Sequence, residues 1–210
     1  MKAITFWFDP ISPFAYLAFE LLPEALVDCS HAVTYRPLLF ASLLAHWGQK
    51  GPAEIEPKRA WTFRHVHWLA QQNGIALDTP AVHPFNPLPL LRLAVACGPN
   101  RRVVEALMRH VWVGGGDPGD VTRMAALAQH LSPNRDPASA EVKSALRDAT
   151  QEAIDRGVFG VPTFELDGRL FWGVDSLPML RAAVRGEPWF DGPAWDAAAR
   201  PPPAVKRPQA

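Results

Sequence analysis

The sequence predicts an α/β protein whose small sheet is interrupted by a long helical block. Strand-type runs stand only near residues 3–8, 31–40 and 162–173. Between the second and third of them, from about 42 to 157, apolar residues recur at helical spacing almost without a break. Asp167-Gly168, set between two apolar runs, is a strong hairpin turn. The order is therefore β-α-β, a helical block, then β-β-α.

Residues 3–8 alternate and carry β-branched and aromatic side chains, which suits a strand. "PFAYLAFELLPEALVD" (13–28) has the apolar spacing of a helix, with Pro13 tolerated in its first turn and Pro23 predicting a kink or a break. A strand follows over 33–39, and a helix joining two such strands predicts a right-handed unit with parallel strands. Helices are expected at 57–73, 87–97, 99–112, 119–131 and 138–156, separated by "NGIALDTP", "CGPN", "GGGDPGD" and "LSPNRDP". Strands at 162–167 and 169–173 and a helix over about 176–186 complete the domain. The division expected is a discontinuous domain of residues 1–41 and 158–190, a helical insertion over 42–157, and a Pro-rich flexible tail over 191–210.

The bulk numbers exclude several functions. With 210 residues, 48% hydrophobic, the chain can bury a sizeable core. Its 21 basic and 21 acidic residues balance, which gives no electrostatic reason for a nucleic-acid partner. The apolar stretches are too short for a membrane span, and "AITFWF" is too short for a secretory signal and runs directly into Asp9-Pro10. Cys29 and Cys97 stand apart with no CxxC, against a disulfide framework or a thiolate metal site. A cytoplasmic protein with no bound metal is expected. His65 and His67, two apart on one helix, point to different sides and do not make a ligand pair.

Ser12 is the first residue that offers chemistry. "SP" at the end of a strand is a good N-cap and N1 pair, so the hydroxyl has a structural use. A helix N-terminus also offers unpaired N–H donors and about half a positive charge, which favours an anion such as a thiolate. Both uses stay open on the residues alone. "GVFGVPTF" (157–164) is the second feature: Pro162 removes a ladder donor just before a strand, which suits a turn before an edge strand. Taken together with the element order, a strand–turn–helix reading X-P-x-x and a Val-Pro before the third strand form the two halves of a thioredoxin-fold active site.

The stretches "FDPISPFAYLAFE" and "GVFGVPTFELDGRLFWGVDSL", with the helical block between them, resemble the 2-hydroxychromene-2-carboxylate isomerases. Those enzymes belong with the kappa-class glutathione transferases and the DsbA-like oxidoreductases, and the likeness spans most of residues 3–186. It implies a thioredoxin-like fold with a large all-helical insertion between the second and third strands. DsbA-like oxidoreductases carry C-P-x-C at the helix start, where this chain reads Ser12-Pro13-Phe14-Ala15. A disulfide exchanger needs an attacking and a resolving thiol, so that chemistry is excluded at this position.

The resemblance further implies that Ser12 hydrogen-bonds the thiol of bound glutathione, and that Pro162 is cis. It implies that the main chain of Val161 pairs with the cysteinyl unit, and that Asp175 binds the γ-glutamyl ammonium. Val174 stands where kappa-class enzymes usually have serine. Lys58 matches a family lysine that holds a carboxylate of glutathione or substrate, and equally suits a solvated first helical turn. Asn86 matches a family "FP-x-N" segment with altered spacing, and with Pro87 equally makes an N-cap and N1 pair. Phe14 is expected against substrate, with Trp7, Trp47, Trp61 and Trp172 as further aromatic lining.

The activity implied is glutathione-dependent isomerisation of 2-hydroxychromene-2-carboxylate to trans-o-hydroxybenzylidenepyruvate in aromatic catabolism, by a homodimer acting on a small aromatic carboxylate. A kappa-like transferase and a non-catalytic thioredoxin-fold binding module are the alternatives.

Overall fold

In the computed structural model, which describes residues 1–200, the sheet has four strands: β1 (Lys2–Phe8), β2 (His31–Pro37), β3 (Thr163–Leu166) and β4 (Arg169–Trp172). Their spatial order is β2-β1-β3-β4, with β1 parallel to β2 and antiparallel to β3. β3 and β4 form the expected hairpin, and both Asp167 (φ 50°) and Gly168 (φ 76°) have the positive φ that a tight two-residue turn requires.

As a central strand, β1 is buried on both faces. Ile4, Phe6 and Phe8 enter the main core with Tyr16, Phe19 and Phe164, while Trp7 enters a second cluster with Leu38, Leu43 and Val158. Full burial of such a side chain is worth roughly 1.5–3 kcal/mol. The Trp7 indole N–H also donates to Glu165 (3.1 Å), whose other oxygen is paired with Arg156 (2.6 Å). Glu165 is thus buried with both oxygens engaged.

Between β1 and β2 runs α1 (Pro13–Ala25). It carries Pro23 in its last turn and ends at Ala25 rather than Asp28, whose φ of 65° lies in the left-handed region and cannot continue a right-handed helix. Between β2 and β3 stand six helices: α2 (Phe40–Trp47), α3 (Glu56–Gln72), α4 (Leu88–Cys97), α5 (Arg101–Trp112), α6 (Val121–Leu131) and α7 (Ala140–Asp155). The last five lie where the spacing predicts them, and α2 is an addition. Asn100, Asp120 and Ser139 cap α5, α6 and α7 by accepting from the N–H three residues on. One face of α5, from Val103 and Val104 to Val111 and Trp112, closes the main core over α1.

After the hairpin come a 3-10 turn (Val174–Ser176) and α8 (Leu177–Val184). The segment beyond 191, expected to be a flexible tail, departs from that expectation in its first part. A short helix, α9 (Pro193–Ala198), forms there because Trp195 packs against Phe171, Trp189 and Phe190. Residues 201–210 of the expected tail lie outside the described residues. Among the described residues no helix is long and apolar enough to cross a membrane.

Candidate active site

Ser12 is the N-cap of α1, with extended backbone (φ −88°, ψ 117°) and Pro13 at the first helical position. Its hydroxyl accepts from the Ala15 N–H (3.2 Å) and donates to the Val161 carbonyl (3.3 Å). Both are long for their type, so neither holds the hydroxyl tightly. The Phe14 N–H, the second of the helix, has no partner among the described residues. The helix end therefore presents one hydroxyl and one free donor beside the Val161-Pro162 peptide, which is cis.

The loop that delivers Ser12 is tied at almost every backbone group. Asp9 is fully buried; its carboxylate accepts from the Ile11 N–H (3.0 Å) and from the Phe40 N–H at the start of α2 (3.0 Å). Its own carbonyl accepts from the Ser12 N–H (3.1 Å). The Trp112 indole donates to the Pro10 carbonyl (2.9 Å), and His83 Nε2 donates to the Ile11 carbonyl (2.9 Å). Burial pushes the Asp9 carboxyl up to about 7 against the two N–H groups that favour its charge. Burial likewise lowers His83, in an aromatic nest of Phe63, Phe85 and Trp112, so the ring is neutral with its proton on Nε2.

A cleft of about 680 Å3 opens beside this point. One wall is α1 with Phe14, Leu21, Glu24 and Ala25; the facing wall is α3 with His65, Leu69 and Asn73. Val161, Pro162 and Trp172 form the floor, and Gly173, Val174, Asp175, Leu177 and Pro178 close one end. The Val161 N–H has no partner among the described residues. Gly173 is required where it stands: its φ is +93°, and a Cβ there would meet Asp175 Oδ1 at 2.3 Å.

Of the residues named from the sequence, Phe14, Val161, Pro162, Val174 and Asp175 come together on this cleft, and Ser12 lies buried behind it, bonded to Val161. Lys58 and Asn86 do not join them. Lys58 is exposed in the first turn of α3, and Asn86 Oδ1 accepts from the Leu88 N–H (3.1 Å) at the start of α4, the cap reading of that residue. Among the tryptophans only Trp172 lines the cleft. Trp7 is core, and Trp47 donates to the Val158 carbonyl. Trp61 is exposed beside His65.

His65, His83 and Trp112 are the residues sequence reasoning did not single out for the site. His65 and His67 do point apart, His67 to Thr79 and His65 into the cleft against Phe14 (ring centroids 5.6 Å). His83 and Trp112 reach the Ser12 loop from 72 and 102 residues away, and no local pattern marks that.

The DSBA-like thioredoxin domain family matches residues 3–185. The 2-hydroxychromene-2-carboxylate isomerase of Sphingobium xenophagum is 30% identical over 190 residues, covering 86% of this chain and 97% of that protein. Glutathione S-transferase kappa 2 of Caenorhabditis elegans is 27% identical, covering 91% and 95%. Among solved structures, a 2-hydroxychromene-2-carboxylate isomerase superposes with a TM-score of 0.78 at 25% identity, covering 95% of this chain and all of that one. With a thioredoxin-type sheet, Ser12 and Ala15 at the two cysteine positions of a C-P-x-C motif and a cleft beside the Val161-Pro162 peptide, the chain belongs to the DSBA-like thioredoxin domain family and, within it, to the 2-hydroxychromene-2-carboxylate isomerase family.

Proposed function

We propose that this protein is a glutathione-dependent isomerase that interconverts 2-hydroxychromene-2-carboxylate and trans-o-hydroxybenzylidenepyruvate. The observation that carries the reading is the Ser12 hydroxyl at the start of α1, beside a free Phe14 N–H and the Val161 main chain, with no cysteine on the cleft. Glutathione held there by Val161 and Asp175 would supply the thiol nucleophile that this cleft's own side chains lack. Ser12 has one hydroxyl proton, so it turns from the Val161 carbonyl to the sulfur while still accepting from Ala15. That donor and the positive end of α1 stabilise the thiolate over the thiol. The Val161 N–H and carbonyl are then free to pair with an extended peptide, as an added strand does. Asp175, exposed at the cleft's end, is the counter-charge for the γ-glutamyl ammonium.

The apolar wall of Phe14, Leu69 and Trp172 suits an aromatic ring and keeps water from it. For the substrate's carboxylate the wall offers His65 and Asn73, whereas Lys58 and Asn86 stand off it. We take the protein to act in the cytoplasm as a homodimer, the exposed Trp61 and Trp68 of α3 being apolar surface that a second copy would cover.

The test is to follow 2-hydroxychromene-2-carboxylate spectroscopically with and without glutathione, and to assay free thiol at the end. Conversion that needs glutathione and returns all of it supports the isomerase. Stoichiometric loss of thiol identifies a kappa-like transferase instead, the reading that the C. elegans relative favours. No turnover and no glutathione binding would leave a non-catalytic module.

A further inference from the structure

A second pocket, of about 350 Å3, lies where α4 and α7 pack together beside the start of α2, and shares no residue with the cleft. Its apolar surface comes from Leu39, Leu88, Leu146 and Ile154. Around it stand three cations: Arg92 on α4, and Lys143 and Arg147 on α7. No Asp or Glu lines the pocket, and none of the three cations is in an ion pair among the described residues. Among the described residues Arg147 has a single bond, to the Ser144 hydroxyl (3.2 Å). The Arg92 Nε is buried and has no hydrogen-bond partner among the described residues.

Such an arrangement is costly without a counter-ion. Lys143 and Arg147 are four apart on one helix, where like charges repel, and Arg92 adds a third positive charge from the facing helix. An orphaned, buried guanidinium nitrogen carries the desolvation cost of a charged donor with nothing to offset it. An anion in the pocket answers both defects, accepting from Arg92 Nε and neutralising the converging charges. Planar oxyanions suit guanidinium groups because the two can share parallel N–H···O bonds. The apolar surface beneath calls for a ligand with an apolar body, and the volume, near the lower end for small-molecule sites, limits it to about one ring.

We propose that this pocket is a binding site for a small organic carboxylate with an apolar body, separate from the catalytic cleft. Ser42, also on its rim, supplies a hydroxyl donor to the same anion. Of the pocket's other polar groups, Thr150 is already used, accepting from the Leu39 N–H (3.0 Å) and donating to the Leu146 carbonyl (2.8 Å).

Isothermal titration of the full chain with phthalate, and separately with inorganic phosphate, in low salt tests this. Phthalate should bind more tightly than phosphate, and the double variant Lys143→Gln/Arg147→Gln should weaken phthalate by about tenfold or more. Both side chains lie on the outer part of α7, and circular dichroism checks that the variant folds. Ser42→Glu, which sets a carboxylate on the rim, should abolish phthalate binding independently. No phthalate binding below about 10 mM, or binding that both variants leave unchanged, overturns the site. Phosphate binding as tightly as phthalate overturns the assignment of an apolar ligand.

Discussion

Replacing Ser12 by alanine removes two hydrogen bonds that differ in consequence. The bond accepted from Ala15 (3.2 Å) caps α1, and its loss costs about 1 kcal/mol of stability. The bond donated to Val161 (3.3 Å) is the one that, in the proposed reading, the hydroxyl exchanges for the sulfur. A hydrogen bond to a charged acceptor is worth about 1.5–3 kcal/mol. Removing it should raise the pKa of the bound thiol by roughly one to two units. If Val161 and Asp175 hold the peptide as proposed, glutathione affinity should change little. Near neutral pH the thiolate fraction, and with it kcat/KM, should fall about ten- to a hundredfold.

The discriminating measurement is the pH profile of kcat/KM. In Ser12→Ala the acid limb should move up by the same one to two units, about, and the rate should recover on the alkaline plateau. Ser12→Cys should form a mixed disulfide with oxidised glutathione and regain activity only on reduction. Wild-type turnover by Ser12→Ala across the whole range would reduce the residue to a helix cap. A loss that no pH restores would refute the account of acidity and leave positioning as the role.

Other consequences are open to direct test. Changing Cys29 and Cys97 together to serine should leave turnover intact, since neither lines the cleft; an inactive but folded double variant would show that the chain supplies the sulfur. Gly173→Ala sets a Cβ 2.3 Å from Asp175 Oδ1 at a φ of +93°, so it should cost about 1–2 kcal/mol of stability. It should also weaken glutathione binding about tenfold; unchanged affinity by calorimetry would remove Asp175 from the site. Because the folded Asp9 pKa, about 7, lies above the unfolded 3.8, the native state holds the extra proton between those values, and stability falls as pH rises through that window. Asp9→Asn should therefore gain on wild type in unfolding free energy, read from urea curves, by roughly 2.5–3 kcal/mol between pH 5 and 8; an equal difference at both pH values would show that Asp9 does not titrate there.

The fold was legible where local chemistry repeats. Alternation marked β1, Asp167-Gly168 marked the hairpin, and the turns "CGPN", "GGGDPGD" and "LSPNRDP" marked the breaks between helices. What stayed hidden lacked such signs. α2 begins at Phe40, and its N-cap Leu39 offers no side-chain bond, so its start is invisible beside the strand before it. α9 is held by Trp195 on Phe171 and Phe190, contacts that a Pro-rich composition does not announce. In the site, Phe14, Val161, Pro162 and Asp175 lie in the two stretches that carry the family resemblance, and were named from it. Lys58 and Asn86 were named from the family resemblance beside a local alternative each, and the structure shows Lys58 in an exposed first turn and Asn86 capping α4. His65 was weighed only as half of a metal pair, and its place on the cleft wall depends on how α3 packs against α1.

The helical insertion therefore does more than enlarge the domain. A sheet and one helix suffice to place a serine at a helix end, but not to fix its loop, because Pro10 and Ile11 are buried or half-buried with carbonyls that need donors. Those donors are Trp112 at the end of α5 and His83 before α4. The N–H groups of the same loop are met by Asp9, whose second oxygen is anchored on Phe40, where the insertion begins. The facing wall of the cleft, from His65 to Asn73, is insertion as well. Ser12 has no sulfur chemistry of its own, so its value rests on being aimed, and what aims it lies almost wholly in the helical block. Substitution of His83 or Trp112 should thus disturb the pH profile of turnover before it disturbs glutathione binding, since both residues touch the loop and neither lines the cleft.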